Sequence, residues 1–411
     1  MQAFIREHRE EDVRQLALKG AQYPDIDMTY ALQQIAGWQT ARKKLPTWAA
    51  TGGIVYPPHL SMEQCSSEET ADYKMRLCRR IIEKNGSSDE SMVDLTGGFG
   101  VDFSFLARMF RDAVYVEQQA QLCDAAAVNF KLLGLNQARI IQGDGVDYLH
   151  KMDKVRMIYL DPARRDAHGG RAFAISDCSP DVVSLCNELL EKAEWVMVKL
   201  SPMLDWHKAV EDLGRENVRE VHIVSVNNEC KELLIVMSRQ HQEQPFLVCC
   251  VNDGQTFAFS HGAETTRHAV QQPLEECRYA TPVPSVFLYE PNASILKAGC
   301  FEELQRRFHV RALGRNSHLF ISSDFIEDFP GRRFQISAIS SMNKKDVKSL
   351  LKGIDKANIT VRNFPLSVAE LRKRLKLKDG GTDYLFATTT EGGKHLLMLA
   401  KRVFSDAQAV Q

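Results

Sequence analysis

Long hydrophobic runs, clustered cysteines and an excess of charge of one sign are all missing from this 411-residue sequence. No stretch approaches the roughly 20 apolar residues that a membrane-spanning helix needs, and the charged N-terminus does not resemble a secretory signal. The ten cysteines include no CxxC pair and no Cys/His group with zinc-ligand spacing. We therefore expect no membrane span, no metal site and a reducing, cytoplasmic location.

Charge is nearly balanced, with 52 basic and 53 acidic residues and a formal net charge of −1. Electrostatics of the whole molecule therefore neither require nor exclude a polyanionic partner. Basic residues are nevertheless concentrated near the C-terminus. They are Lys344, Lys345, Lys348, Lys352, Lys356, Arg362, Arg372, Lys373, Arg374, Lys376 and Lys378.

The length exceeds what one hydrophobic core usually serves, so several domains are expected. Residues 1–86 show helical periodicity around an irregular connection that contains proline and glycine. Residues 87–275 alternate short apolar runs with helical segments, which is typical of a parallel sheet with crossover helices. Two smaller α/β units are predicted, over 276–322 and 323–411.

Two local patterns sharpen this division. The runs VREVHIVSV and ELLIVM are separated by only NNECK, which predicts an antiparallel hairpin after the parallel strands. In the third unit, apolar spacing predicts helices over Ala293 to Ala298 and over Phe301 to Phe308.

A glycine-rich turn, VDLTGGFG, follows the first predicted strand of the second unit. Its glycines permit a tight turn that brings the backbone close to a ligand before a helix begins near Val101. Such a turn also suits a plain loop or a dinucleotide cofactor, so it is not decisive alone. The residues assigned here to a cofactor site are Asp94, Thr96, Gly97, Gly98, Phe99 and Gly100.

Acidic residues stand at the ends of three predicted strands. Glu117 lies about twenty residues beyond the glycines, where a carboxylate can accept hydrogen bonds from ribose hydroxyls. Asp144, followed by Gly145, is placed to accept a hydrogen bond from an adenine amino group. Asp94 suits the cationic methionine end of S-adenosylmethionine (SAM) and would repel a pyrophosphate. The three positions together favour SAM over a nicotinamide dinucleotide.

The fourth strand delivers the sequence DPARRD to the same edge. In amino methyltransferases an Asp or Asn followed by two prolines and an aromatic residue accepts hydrogen bonds from the target amine. Asp161 and Pro162 fit this pattern, whereas Ala163 and Arg164 depart from it. Methylation of an amino group on a base is therefore permitted rather than indicated.

Three basic residues border the predicted acceptor site. Arg164 and Arg165 can bind a phosphate or carboxylate of the substrate, or form internal salt bridges with neighbouring aspartates. Lys199, at the end of the strand WVMVKL, can contact substrate or remain solvated. We assign Asp161, Pro162 and Arg164 to catalysis, and Arg164, Arg165 and Lys199 to substrate binding.

The motifs VDLTGGFGVD, YVE, GDGVDYL, YLDPARRD and KLSPMLDW resemble those of class I SAM-dependent methyltransferases. The segments KLPTWAATGGIVYPPHLSMEQCSSE, FLYEPNASILKAG and VRNFPLSVAELRKRLKLKDGGTDYLFATT extend the resemblance to a bacterial family that joins such a domain to ferredoxin-like and C-terminal THUMP-like domains. The resemblance implies an α/β fold, with a Rossmann-like methyltransferase sheet, a helical N-terminal region and small C-terminal α/β domains.

True THUMP domains bind RNA, so the resemblance implies direct methyl transfer from SAM to a base of tRNA or rRNA. The basic C-terminal residues would then contact phosphates. Two alternatives remain open: a methyltransferase that acts on a small anionic metabolite, and a non-catalytic module that binds SAM or RNA. No oligomeric state is predicted.

Overall fold

The structure is a computed structural model that describes residues 1–84, 90–164, 175–239, 245–262, 286–314 and 316–404. The chain divides into two compact units. Unit 1 comprises Met1–Val226 and Lys231–Leu247, and unit 2 comprises Asn227–Cys230 and Val248–Gln411. The four-domain division stated above stays a prediction.

Unit 1 begins with helices alone and continues as alternating strands and helices. Its helices are α1 (Gln2–His8), α2 (Val13–Leu18), α3 (Met28–Lys44), α4 (Pro46–Ala50), α5 (His59–Gln64), α6 (Glu68–Lys84), α7 (Val101–Leu106), α8 (Ala120–Leu132), α9 (Gly145–Lys151), α10 (Val182–Lys192) and α11 (Trp206–Asp212). Its strands are β1 (Ser91–Asp94), β2 (Asp112–Glu117), β3 (Ala138–Gln142), β4 (Val155–Leu160), β5 (Ala163–Arg164), β6 (Cys178–Ser179), β7 (Ala193–Leu200), β8 (Val218–Val226) and β9 (Glu229–Met237).

The main strands of unit 1 form a sheet in the order β8-β9-β7-β4-β1-β2-β3. Strands β7, β4, β1, β2 and β3 are parallel, and β9 runs antiparallel to β7. The interiors of β1, β2 and β4 are buried, as expected for parallel strands that helices cover on both faces. The predicted Rossmann-like α/β fold is confirmed. Because the five strands are parallel, their carboxyl ends meet at one edge of the sheet.

Three aromatic rings form the centre of the core beside this edge. Phe103 of α7, Tyr115 of β2 and Phe130 of α8 lie with ring centroids 4.9 to 5.5 Å apart. All three side chains are buried. Burial of one such ring contributes about 1.5–3 kcal/mol to folding, so this group fixes α7 and α8 against β2.

Side-chain amides hold the irregular connection that follows α4. The Gln34 amide donates to the Tyr56 carbonyl and accepts from the Tyr56 N–H, each at 2.8 Å. The Asn129 amide brackets Val55 in the same way, at 2.9 and 2.8 Å. A Cβ on Gly37 would lie 2.3 Å from the Tyr56 Cβ, so α3 can approach this segment only through glycine. The buried backbone is thereby satisfied without helix or strand.

Unit 2 contains the small C-terminal α/β domains. The boundary between the units cuts β9 after Cys230 and β10 before Val248. The elements from β10 onward are β10 (Phe246–Asn252), β11 (Gln255–His261), β12 (Phe287–Pro291), α12 (Ala293–Ala298), α13 (Phe301–Phe308), β13 (Arg311–Ala312), β14 (Phe320–Ser322), β15 (Gly331–Ser340), α14 (Lys344–Leu350), β16 (Asn358–Arg362), α15 (Val368–Leu375), β17 (Asp383–Thr389) and β18 (His395–Arg402). Helices α12 and α13 have the bounds predicted from the sequence.

A second sheet in unit 2 has the order β13-β14-β12-β15-β18-β17-β16. Helices α14 and α15 cover the same face, because Leu350 and Leu371 share a core cluster with Leu385 and Leu399 of the sheet. A capping box between Ser367 and Glu370 starts α15, with the Glu370 carboxylate accepting from the Ser367 N–H at 2.8 Å. Within the described ranges of the chain, no helix has both the length and the apolar character to cross a bilayer.

Helix α6 is anchored to the hairpin of β8 and β9 by polar contacts. Its Tyr73 hydroxyl lies 2.7 Å from His222 Nδ1, and its Arg80 contacts Glu220. His222 Nε2 lies 2.8 Å from the Glu220 carboxylate. Burial raises the pKa of Glu220, but hydrogen bonds from His222 and Arg80 outweigh it and lower the pKa from 4.5 to about 2.

We predict that Glu220→Gln lowers the free energy of unfolding by about 3 kcal/mol at pH 7 and by much less near pH 2. Because the pKa of Glu220 is lower in the folded than in the unfolded protein, its carboxylate stabilises the fold above pH 4.5. This stability is lost as pH falls towards 2. Urea unfolding of both proteins at several pH values measures the difference. Glu83→Gln, at an exposed position of α6, is the control. A loss of equal size at both pH values would contradict the role of Glu220.

Candidate active site

The glycine turn between β1 and α7 is pressed against an aromatic ring of the neighbouring strand. Gly97 N–H donates to the Val116 carbonyl at 2.9 Å, and the Tyr115 hydroxyl donates to the Gly98 carbonyl. A Cβ on Gly97 would lie 2.3 Å from the Tyr115 ring, so glycine is required there. Gly98 has φ +57°, and a Cβ on it would meet nothing closer than 3.7 Å. The turn is therefore closed towards the core and open outside Gly98.

Phe99 and Gly100 complete the turn in different ways. The Phe99 side chain is buried and packs against Trp48 and Tyr56, with ring centroids 4.8 and 6.5 Å away. Gly100 has φ +83°, and a Cβ on it would lie 2.7 Å from Phe130. The structure thus gives the Phe99 side chain a packing role and leaves its backbone in the turn.

The acids at the ends of β2 and β3 lie beside the turn. Glu117 accepts from Gly98 N–H and Gln119 N–H, both at 2.8 Å. Asp144 caps α9 by accepting from Val146 N–H at 2.8 Å, and its other oxygen accepts from Gln118 at 2.6 Å. These contacts orient both carboxylates at the edge where the cofactor site is predicted.

Gly145 keeps α9 close to the end of β1. A Cβ at this position would lie 2.1 Å from the Leu95 carbonyl oxygen. No other residue type fits there, because the obstacle is backbone. The predicted cofactor residue Gly145 therefore sets the spacing between two walls of the site.

Thr96 joins the glycine turn to the end of β4. Its N–H and hydroxyl donate to Asp94 Oδ1 at 2.9 and 3.3 Å, and its hydroxyl accepts from Asp161 N–H at 2.6 Å. Asp94 is only 1% exposed. Burial raises its pKa well above the ordinary value, and the nearby carboxylates of Asp102 and Asp161 add to the rise. A carboxyl group held this way gains most from a cationic ligand.

Lys199 forms an ion pair with Asp161, its counterpart at the end of the next strand. The lysine side chain is 14% exposed and the aspartate side chain 37%. Burial alone would lower the pKa of Lys199, but the carboxylates of Asp161, Asp102 and Glu232 outweigh it and raise the pKa. Asp161 is therefore partly exposed and keeps Lys199 as its cationic partner, and Pro162 beside it is buried.

The arginines of DPARR are described only in part. Arg164 belongs to β5, whose backbone pairs with Cys178 of β6. Its side chain, and the whole of Arg165, lie outside the described residues. Their assignment to substrate binding, and that of Arg164 to catalysis, remain predictions.

Asp94, Asp161 and Lys199 belong to a larger group of charges, and sequence reasoning missed its other members, Lys74, Asp102 and Glu232. Lys74 of α6 is fully buried, and its Nζ contacts Glu232 at 2.6 and 2.7 Å and Asp102 at 3.2 Å. Asp102 also accepts from the Tyr159 hydroxyl at 2.7 Å. The buried charge cluster, as we call it, consists of Lys74, Asp94, Asp102, Asp161, Lys199 and Glu232. No set of three or more His, Cys, Asp or Glu side chains among the described residues is arranged to hold a metal ion.

A signal for this cluster was present in the sequence. Lys74 stands on the apolar stripe of α6, at helical spacing from the buried residues Ala71, Leu77 and Cys78. Glu232 starts the buried part of β9. A charged residue in such a position is rarely buried without a partner. Local periodicity does not, however, reveal which distant residue that partner is.

We predict that Asp94→Asn raises the melting temperature at pH 8 by about 2 °C or more. A raised carboxyl pKa in the fold means that stability is lost as pH rises from 3.8 through the folded pKa, and Asn does not titrate. The gain should shrink as pH falls towards 4. Differential scanning calorimetry checks this, with Asp124→Asn, at an exposed position of α8, as control. A variant less stable than the wild type at pH 8 would count against a raised pKa for the buried Asp94 carboxyl group.

Comparison with protein families identifies both parts of unit 2. A ferredoxin-like domain family matches residues 287–330, and a family described as THUMP domain-like matches residues 331–402. None of the curated proteins matches the sequence.

Solved structures extend the comparison to the whole chain. A Porphyromonas gingivalis W83 protein, provisionally classed as a methyltransferase, has 33% identity and a TM-score of 0.82, over 98% of this chain and 97% of its own. A SAM-dependent methyltransferase from Agrobacterium tumefaciens has 16% identity and a TM-score of 0.33, over 46% and 66%. An rRNA methylase from Streptococcus thermophilus has 12% identity and a TM-score of 0.31, over 40% and 93%.

Only the first of these similarities is strong enough to assign a family. It spans both chains almost completely, and it agrees with the two family matches in unit 2. The chain therefore belongs to the family of class I SAM-dependent methyltransferases that carry a ferredoxin-like and a THUMP-like domain.

Proposed function

We propose that this protein transfers a methyl group directly from SAM to a base of RNA, in tRNA or rRNA. One observation carries the proposal. The glycine turn, Glu117 and Asp144 lie at the same sheet edge as Asp161, and Thr96 connects the turn to Asp161 by hydrogen bonds. A cofactor at the first group would thus lie next to an acceptor at the second.

The residues at this edge fit SAM. Gly98 leaves open space at the turn, Glu117 and Asp144 offer carboxylate oxygens for hydroxyl and amino groups, and buried Asp94 offers a carboxyl group for a cation. Asp94, Thr96, Gly97, Gly98, Phe99, Gly100, Glu117, Asp144 and Gly145 would line the cofactor site, Phe99 through its backbone. When bound, SAM would supply an electrophilic methyl group: the S–CH3 bond would break as the bond to the acceptor nitrogen forms, which leaves S-adenosylhomocysteine and one proton that passes to solvent.

Asp161 orients the acceptor in this proposal. Lys199 contacts its Oδ2, so its Oδ1 is the atom that accepts an N–H of the target amino group. The Pro162 carbonyl is the second acceptor at this position. Together they direct the nitrogen lone pair towards the cofactor, which is a matter of positioning rather than of strong base catalysis.

Charge at the site favours a neutral acceptor. Among the described residues, the buried charge cluster contains four carboxyl groups and two ammonium groups, and Lys199 already pairs with Asp161. An anionic metabolite at Asp161 would find no unpaired cation among the described residues of the cluster, because both of its lysines are engaged by carboxyl groups. A base in RNA is uncharged, so it suits this edge better than the small anionic acceptor considered from the sequence.

We predict that Asp161→Ala lowers methyl transfer by about 100-fold or more, because the acceptor loses its orienting carboxylate. The measurement is incorporation of tritiated methyl groups into total RNA from cells that lack the gene. Calorimetry of SAM and S-adenosylhomocysteine binding runs in parallel. Asp147→Ala, at an exposed position of α9, is the matched control.

The outcomes separate the parts of the proposal. If Asp161→Ala retains full activity, the acceptor assignment is wrong. If the wild type binds neither SAM nor S-adenosylhomocysteine, the cofactor assignment is wrong. Nucleoside mass spectrometry of RNA from cells with and without the gene identifies the methylated base.

A basic surface on unit 2 supports RNA as the partner. We define the lysine-rich surface as the exposed basic residues on and beside α14 and α15, on the side of these helices that does not pack on the sheet. A backbone bridge between Lys356 and Lys378 joins the segments that follow the two helices. Arg372 pairs with Asp379 and is not counted. The members are Lys344, Lys345, Lys348, Lys352, Lys356, Lys373, Arg374, Lys376 and Lys378.

We predict that replacing Lys345, Lys348 and Lys352 together by alanine weakens RNA binding by about tenfold at low salt. The slope of log affinity against log salt should fall by about 2, since each lost phosphate contact removes about 0.7 to 0.9. Filter binding or fluorescence anisotropy at several salt concentrations measures both quantities. The control replaces Lys131, Lys151 and Lys154, which are exposed in unit 1. Equal slopes for the two triple variants would exclude the lysine-rich surface as the contact.

The cytoplasmic location stays a prediction.

A further inference from the structure

We propose that Lys74, in a helix that precedes the methyltransferase sheet, is a positioning residue of the active site. Lys74 pairs with Glu232 and Asp102, and Lys199 is therefore available to pair with Asp161. The inference rests on the proposed role of Asp161 as the residue that orients the acceptor.

The surroundings of Lys74 are those of a charge that the fold cannot leave unpaired. Its side chain has no solvent exposure, and the Glu232 side chain is 3% exposed. Both Glu232 oxygens lie within 2.7 Å of Lys74 Nζ, and Asp102 Oδ1 lies at 3.2 Å. Buried ions at such distances are stable only as a set, because removal of one partner leaves an uncompensated charge.

Lys199 is the other cation of the cluster, and it pairs directly with Asp161. Lys199 lies opposite Leu234 in the pairing of β7 with β9, which places Glu232, two residues along β9, on the same face of the sheet. Asp102 shares Lys74 with Glu232 and is the third carboxylate of this group. Lys74 forms ion pairs with Asp102 and Glu232, so Asp161 is the partner that Lys199 contacts. Asp161 is also the most exposed of the three, at 37%, and water stabilises its charge in part. Without Lys74, the two buried carboxylates would compete more strongly for Lys199 than Asp161 does.

Two hydrogen bonds hold the Asp102 carboxylate in place. Its Oδ2 accepts from Ser66 and from Tyr159, each at 2.7 Å. Asp102 therefore cannot move away when Lys74 is lost. The side chain that is free to turn is Lys199, which would leave Asp161 and approach Asp102 and Glu232.

A double-mutant cycle tests the inference. Lys74→Met should lower kcat at least tenfold, while the Kd for S-adenosylhomocysteine changes less than threefold. Lys199→Met should lower kcat about as much or more. If Lys74 acts through Lys199, the double variant loses no more than threefold beyond Lys199→Met alone. Lys84→Met, at the exposed end of α6, is the control and should leave kcat unchanged.

A merely structural role for Lys74 would give the opposite result. The two losses would then multiply, with at least a further tenfold fall in the double variant, and this outcome overturns the inference. If Lys74→Met does not fold, the variant that combines Lys74→Met with Glu232→Gln takes its place in the cycle. This variant removes one charge of each sign. A multiplicative loss in that background overturns the inference equally.

Crystal structures of the wild type and of Lys74→Met provide a readout that needs no activity. The expected change is that Lys199 Nζ moves from Asp161 to within hydrogen-bond distance of Asp102 or Glu232. An intact pair between Lys199 and Asp161 in the variant would falsify the inference. If the wild type proves inactive on every RNA, the proposed function fails, yet the crystal structures still decide the role of Lys74.

Discussion

Buried charges must be paired, and this requirement ties together the elements that build the site. Lys74 comes from α6, Asp102 from α7 and Glu232 from β9. None of these charges can be buried alone at an acceptable free energy, because the desolvation of one ion in a protein interior costs several kcal/mol. The sheet edge is therefore complete only when all three elements have docked.

The glycine turn obeys a second constraint, which is steric. Gly97 lies against Tyr115 and Gly100 against Phe130, so the turn is shaped by the core beneath it. The Phe99 side chain of the turn also packs against Trp48 of the N-terminal helices. The backbone that faces the predicted cofactor is thus rigid on both sides before any ligand arrives, which reduces the entropy lost on binding.

Much of this architecture is readable from local sequence patterns. The alternation of apolar runs and helical segments predicts the parallel sheet. Asp94, Glu117 and Asp144 stand at the ends of predicted strands, and they are expected at a common edge because parallel strands end together. The helix from Ala293 to Ala298 followed from its apolar spacing. Periodic apolar patterns, and residues at the ends of predicted strands, can therefore be located from one sequence.

Contacts between distant residues could not be predicted in this way. Nothing near Lys74 indicates Glu232 as its partner, and nothing in DPARR indicates that Lys199 contacts Asp161. Phe99 was assigned to the cofactor because it stands among the glycines, yet its side chain packs against Trp48, a residue of the N-terminal helices. Such pairings depend on the folded topology, which fixes the neighbours of a side chain only after the sheet has formed.

The separation of 158 residues between Lys74 and Glu232 has a consequence during protein synthesis. Helix α6 leaves the ribosome long before β9 is made, and at about 5–20 residues per second the wait is roughly 8 to 30 s. During that time the apolar stripe of α6 carries an ammonium group without its main counter-ion. We therefore expect the N-terminal helices to stay solvated, or to be bound by a chaperone, until the last strands of unit 1 emerge.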